Sequence, residues 1–310
     1  MELGPILRAM RRNKTRIGLI VFEVALTLAI VVNCITMIAE ARTKMVRPSG
    51  FADEEIVSVR STPFEKPFRE ETYRDNSRRA DLDAIRALPG VTAVSNTYFL
   101  PWQGGGSSTE MRPQGSKGEM FRTQIYNADE STLDALGVRV VEGRTFTRDD
   151  VDRDTARLRK LYAGPRELGA DSRPREKFTQ DVVVSQAFAK LVFGDGSALG
   201  RMVEDSDGDT YRIIGTIDSF YNPYGWPIHE YAVFYANAAH NYEGGTPYLI
   251  RTEKGQTAAL LKPIEEKLLA TNNGRNVKVT SLDEVKRNYF AAQQIVVTMM
   301  SGVIVLLVLV

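Results

Sequence analysis

Cysteine and histidine are almost absent from this chain. Its 310 residues hold one cysteine, Cys34, and two histidines, His229 and His240. A single thiol excludes an intramolecular disulfide. Any domain outside the cytoplasm must then be held by burial alone, for which roughly 250 residues suffice. Neither histidine has a cysteine, histidine or carboxylate at metal-ligand spacing, and no nucleophile–base pair stands out. An excess of one charge is also missing. With 40 basic and 39 acidic residues the net charge is +1, without the basic surface that neutralises a phosphate backbone, so no nucleic-acid partner is expected. No G-x-x-x-x-G-K-[ST] run occurs, so the chain carries no phosphate-binding loop of its own.

Two near-motifs have structural explanations. Gly194, Gly196 and Gly200 miss the dinucleotide fingerprint by one position and follow a helix rather than a strand; they read as a turn. Asp205, Asp207 and Asp209 resemble half of a calcium loop. Its sixth position is Thr210 and no glutamate closes it at the twelfth, so a hairpin turn fits better. The sequence therefore nominates no catalytic, cofactor-binding or metal-binding residue and requires no cofactor.

What is present is apolar at both ends. Residues 17–39 form a 23-residue run with one charge, Glu23, and about 20 apolar residues span the hydrocarbon of a bilayer. A cleaved signal peptide is the alternative. Its apolar region would be shorter and followed by small residues, whereas this run ends in Glu40, Ala41, Arg42, Thr43 and Lys44. Arg8, Arg11, Arg12, Lys14 and Arg16 precede it, which sets the N-terminus inside and the following stretch outside. Leu3, Ile6, Leu7 and Met10 have helical spacing. Residues 1–16 are either a short helix in the headgroup layer or an extension of the first spanning helix, and both readings stay open. From Ile295 to Val310 every residue is apolar or small. Sixteen residues are too few to span comfortably, so residues 291–310 are expected to be the start of a second spanning helix inside which the sequence stops. Glu23 is costly in a spanning helix unless it faces protein or water; an inter-helix contact or a coupling role is expected of it.

Between these segments, residues 40–290 read as one α+β domain of mixed sheets with packed helices. Strands are expected at 56–60, 91–97, 109–113, 121–126, 138–141, 181–185, 211–217, 231–235, 248–251 and 277–280. Helices are expected around Leu82, Ile85 and Leu88 and over 129–136, 186–193 and 257–270. The PWQGGGSS stretch reads as a loop, and the charge-crowded stretch 148–177 as a solvated loop or insertion. Ser281 and Glu284 form a capping box, which starts a helix expected to run without a hinge into the second apolar segment. Glu284, Arg287 and Tyr289 on that helix are the candidate stalk residues.

Five blocks, in order, resemble a known family. They are RRNKTRIGLIVFEVALTLAIVV, LDAIRALPGVTAVSNTYFLP, LDALGVRVVEGRTFTRDD, VVVSQAFAKLVFGDGSALGRMV and YRIIGTIDSF. Together they are similar to the MacB/FtsX-type permeases of ABC transporters and their MacB-like periplasmic core domain. The 148–177 stretch is longer than the family's usual link. Two further membrane helices expected after the second are missing, which fits a truncated sequence. The resemblance implies a non-catalytic permease in a bacterial cytoplasmic membrane, N-terminus inside. It would form a homo- or heterodimer on a separate ABC ATPase subunit and could engage a periplasmic adaptor or outer-membrane component. Motion driven by ATP would pass through helical stalks to the periplasmic domain, for efflux or export. The topology alone fits two other readings: a membrane-bound extracytoplasmic sensor or receptor, and a membrane-anchored enzyme.

Overall fold

A computed structural model describes residues 14–97, 99–103, 107–161, 179–223, 230–237 and 245–309. His229, His240, the apolar stripe of residues 3–10 and residues 162–177 of the charged stretch lie outside these. The chain divides into two compact units, one of residues 1–47 with 287–310 and one of residues 48–286.

In the first unit, helix α1 (Lys14–Val46) packs against helix α8 (Ala291–Leu309). Both are long and apolar enough to cross a membrane. At 1.5 Å per residue α1 is about 50 Å long, beyond the ~30 Å hydrocarbon thickness. The half-buried or buried residues Val31, Cys34 and Ile38 recur at helical spacing. The Cys34 thiol points to Met300 Sδ at 3.6 Å, so the one cysteine serves as a small seam residue. The rest of both helices leaves large apolar side chains bare, Phe22 and Leu306 among them.

The second unit is α+β, as its sequence pattern indicates, and contains two sheets. The first has the order β11-β1-β10-β2, from β1 (Ile56–Pro63), β2 (Val91–Asn96), β10 (Thr246–Thr252) and β11 (Arg275–Ser281). All its pairs are antiparallel. Helix α2 (Glu71–Arg86) follows β1 and helix α6 (Thr257–Thr271) follows β10. This is a split β-α-β arrangement of the ferredoxin-like kind. Alternate strand residues Val57, Val59, Val94, Tyr248 and Ile250 meet Leu82, Ile85, Leu260, Ile264 and Leu268 of the helices in one buried core, as period 2 against period 3.6 requires.

The second sheet is inserted between β2 and β10. It contains β3 (Ser107–Pro113), β4 (Phe121–Ala128), β5 (Val140–Gly143), β6 (Thr179–Ser185), β7 (Met202–Asp205), β8 (Thr210–Ile217) and β9 (Ala232–Ala236). The order is β5-β8-β6-β9-β4-β3-β7, and β7 also pairs with β8. That last pairing closes β8-β6-β9-β4-β3-β7 into a six-stranded barrel, with β5 appended to β8. Its inward residues share one parity: Met111, Val182, Val184, Val203, Ile213 and Val233 form a single core with Phe188 and Ala189. Those last two lie on helix α5 (Gln186–Phe193), which touches strands β3, β4, β6, β8 and β9 and so plugs one end. Ser185 caps α5 by accepting from the Phe188 N–H at 3.3 Å.

Two expectations need correction. The stretch from residue 148 begins not as a loop but as helix α4 (Arg148–Leu161). Its charges are used: Arg153 reaches Asp150, Asp154 and Asp181, while Arg212 pairs with Asp181 through two nitrogens. Val151 and Thr155 are buried. A charge-dense sequence can dock as a helix when its ions find partners. Secondly, the helix from Ser281 is not continuous: α7 (Leu282–Tyr289) stops, Phe290 sits in a turn, and α8 begins at Ala291. Among smaller elements, helix α3 (Thr132–Leu136) ends at Gly137 in the left-handed region. The DSDGD segment is a hairpin turn between β7 and β8 in which Asp205 Oδ1 accepts from the Asp207 and Asp209 N–H groups, both at 3.0 Å.

Candidate functional site

The 48–286 unit begins just before Ser49 and ends in α7 at Lys286. These two ends are tied together. Ser49 donates its hydroxyl to Asp53 Oδ2 at 2.8 Å, and Lys286 Nζ donates to the same oxygen at 2.7 Å. The other carboxylate oxygen accepts from Trp102 Nε1 at 3.1 Å. Lys286 Nζ also lies 5.1 Å from the Trp102 ring centroid, within cation–π range. One carboxylate therefore holds the entry segment, the exit helix and the loop after β2.

Trp102 is the rigid part of this clasp. It is 4 % exposed, and its φ of 63° is positive, a strained conformation for a bulky residue. Such strain persists only where surroundings over-determine it. Here the Trp102 N–H donates to Asn222 Oδ1 at 3.2 Å, and the rings of Phe51 and Tyr221 approach edge-on at 6.3 and 6.4 Å. Asn222 in turn donates to the Tyr126 hydroxyl at 3.2 Å. Tyr126 belongs to β4, packs among Phe99, Phe220 and Phe234, and has its phenol pKa pushed up by burial. Contacts therefore run without a gap from the exit helix to the barrel wall. Gly50 allows the entry segment to lie close by. It has φ +83°, and a Cβ there would strike the Ser219 carbonyl, while the Tyr221 N–H bonds the Ser49 carbonyl at 2.7 Å.

The model of the MacB-like periplasmic core domain family matches residues 19–263, most of the chain. The chain belongs to this family. MacB-like periplasmic core domains are parts of ABC transporter permeases, and that is the class to which this protein is assigned. Its fold is also similar to the periplasmic region of MacB from Actinobacillus actinomycetemcomitans, with 15% identity over 79% of this chain and 97% of that one and a TM-score of 0.46. A second similar structure is the extracellular domain of the ABC-type transporter YknZ from Gram-positive bacteria, with 16% identity over 73% and 99% and a TM-score of 0.40. No curated protein matches the sequence.

None of the residues nominated from sequence belongs to the clasp of this MacB-like domain. Glu23 is exposed on α1 and makes no hydrogen bond or ion pair among the described residues. Glu284, Arg287 and Tyr289 all lie on the exposed side of α7, and the Glu284 N–H donates to the Ser281 hydroxyl at 3.2 Å, half of the expected capping box. Lys286 of α7 is half-buried through its pairing with Asp53, beside the buried Leu282 and Val285. Sequence reasoning passed over Asp53, Trp102 and Lys286. The one available signal was a tryptophan in a glycine-rich loop, a large side chain that loops rarely leave unpacked.

Proposed function

We propose that this MacB-like protein is the permease subunit of an ABC transporter that couples ATP hydrolysis on a separate ATPase subunit to movement of its extracytoplasmic domain, for efflux or export. The apolar helices α1 and α8 are spans in a bacterial cytoplasmic membrane, with the N-terminus inside by the flanking-charge rule. Residues 40–290 are the periplasmic or extracellular part. The working unit is a permease dimer. Its role is mechanical and non-catalytic.

The observation that carries the reading is the Asp53–Lys286–Trp102 clasp. A domain that receives motion through two chain crossings needs its entry and exit segments braced against each other and against its core. A carboxylate shared by both segments and by a strained, buried tryptophan supplies that brace. The exit segment is interrupted at Phe290 and is not one continuous helix.

The test is affinity capture of the full chain in mild detergent with its ATPase, followed by hydrolysis measurements. Capture of an ATP-binding-cassette subunit, with hydrolysis that changes in Lys286→Met, is the expected result. Capture of no ATPase by a folded protein refutes the permease reading. Capture with hydrolysis indifferent to Lys286→Met refutes the role of the clasp.

A further inference from the structure

The four-stranded sheet has two unlike faces. One sets Val57, Val59, Val277 and Val279 against the core side chains of α2 and α6. On the other, the period of 2 places Ser58, Arg60 and Thr62 of β1 beside Asn276, Lys278 and Thr280 of β11. This second face is covered at one end. There Ser58 is buried and accepts from Gln103 Nε2 at 3.1 Å. At the other end Arg60, Thr62, Asn276 and Lys278 are all exposed.

Two observations at the open end point to a ligand. The first is a like-charge pair. Arg60 and Lys278 stand directly opposite each other in the β1–β11 register, which puts their Cβ atoms about 5 Å apart. Neither side chain makes a hydrogen bond or ion pair among the described residues, and like charges in that position are destabilising. The second is a free edge. β11 is the outer strand of its sheet and pairs with β1 alone among the described residues. Its far side therefore presents a row of backbone N–H and C=O groups. A lysine on an edge strand has a simpler explanation, because such charges deter edge-to-edge aggregation. That accounts for Lys278 but not for Arg60, which lies on the inner strand β1.

We propose that the open edge of β11 takes up an extended acidic segment of a partner protein as an added strand. Backbone bonds to β11 supply affinity, and a carboxylate of the segment opposite Lys278 neutralises the Arg60–Lys278 pair. Thr62, Pro247 and Asn276 beside the two cations offer no aromatic platform for nucleic-acid bases. The proposal does not rest on the transport reading of the chain.

The full chain in detergent is titrated with short blocked peptides in which threonine alternates with glutamate, glutamine or lysine. Inorganic phosphate is the competitor. Fluorescence anisotropy gives affinity, and amide hydrogen exchange locates the contact. The glutamate peptide should bind once per chain, about tenfold more tightly than the glutamine peptide, and slow exchange across β11. Phosphate should not displace it. Arg60→Gln/Lys278→Gln should lose the preference for glutamate. Relieved of its like-charge pair, that variant should melt no lower than the native chain, which guards against a loss of fold. Arg60→Glu/Lys278→Glu should prefer the lysine peptide. Equal binding of the glutamate and glutamine peptides, protection outside β11, or displacement by phosphate, which marks a free-anion site, would each overturn the proposal. So would an unchanged preference or a lower melting point in the glutamine variant.

Discussion

Arg275 and Asp81 test whether the first sheet is held as described. Each side chain is 1% exposed. The guanidinium pairs with both carboxylate oxygens, Nη2 at 2.6 Å from Oδ1. It also donates to the Leu268 carbonyl at 2.6 Å and the Asn272 carbonyl at 3.1 Å. The Tyr248 hydroxyl donates to Asp81 Oδ2 at 2.6 Å; burial, then the negative Asp81, push that phenol well above its ordinary pKa. Removing one member of a buried pair leaves the other charge stranded, at about 3–5 kcal/mol, whereas replacing both with apolar groups is close to neutral. Arg275→Met should therefore cost about 4 kcal/mol, and Asp81→Leu/Arg275→Met much less than either single change. At roughly 2–4 °C per kcal/mol for a domain of this size, the single variant melts about 8–16 °C lower. Near-UV circular dichroism of the full chain in detergent reads the tyrosine environment directly. A loss under about 1 kcal/mol for Arg275→Met, or a double variant less stable than both singles, would refute the argument.

Asp154 is buried, its Oδ2 has no partner, and burial raises its pKa despite Arg153. With a raised folded pKa, its stabilising contribution is full below the unfolded value of about 3.9 and is lost as pH rises through the folded value. Asp154→Asn should therefore gain about 1 kcal/mol at pH 8 and nothing at pH 4, read as urea midpoints at both pH values; a gain equal at both excludes this origin. Gly50→Ala forces a left-handed φ on a residue with a Cβ, about 1–2 kcal/mol, and sets that Cβ against the Ser219 carbonyl. Its melting point should fall by several degrees, and an unchanged melt would mean the entry segment lies elsewhere. Glu23→Gln keeps the shape of α1 but removes its one intramembrane charge. Coupled ATPase and transport rates should fall, and normal transport would end the coupling reading of Glu23.

The elements were legible wherever the pattern was strictly periodic. The 17–39 run, the Leu82–Ile85 face and the strands from Val182 and Tyr211 all carry one spacing throughout, and each appears close to its expected place. Two kinds of feature were not legible. One was order bought by ion pairing: helix α4 has few apolar residues, and only the positions of Asp181 on β6 and Arg212 on β8 explain why Arg153 can dock there. The other was closure. Nothing local in Met202–Asp205 says that it pairs with β3 on one side and β8 on the other, yet that double pairing turns a sheet into a barrel and creates a mouth. The clasp belongs to the same class, because Trp102 and Lys286 are 49 and 233 positions from the Asp53 carboxylate they share. Their meeting depends on both sheets being complete. Contacts set by tertiary closure escape motif reading, while long apolar helices such as α1 and α8 do not.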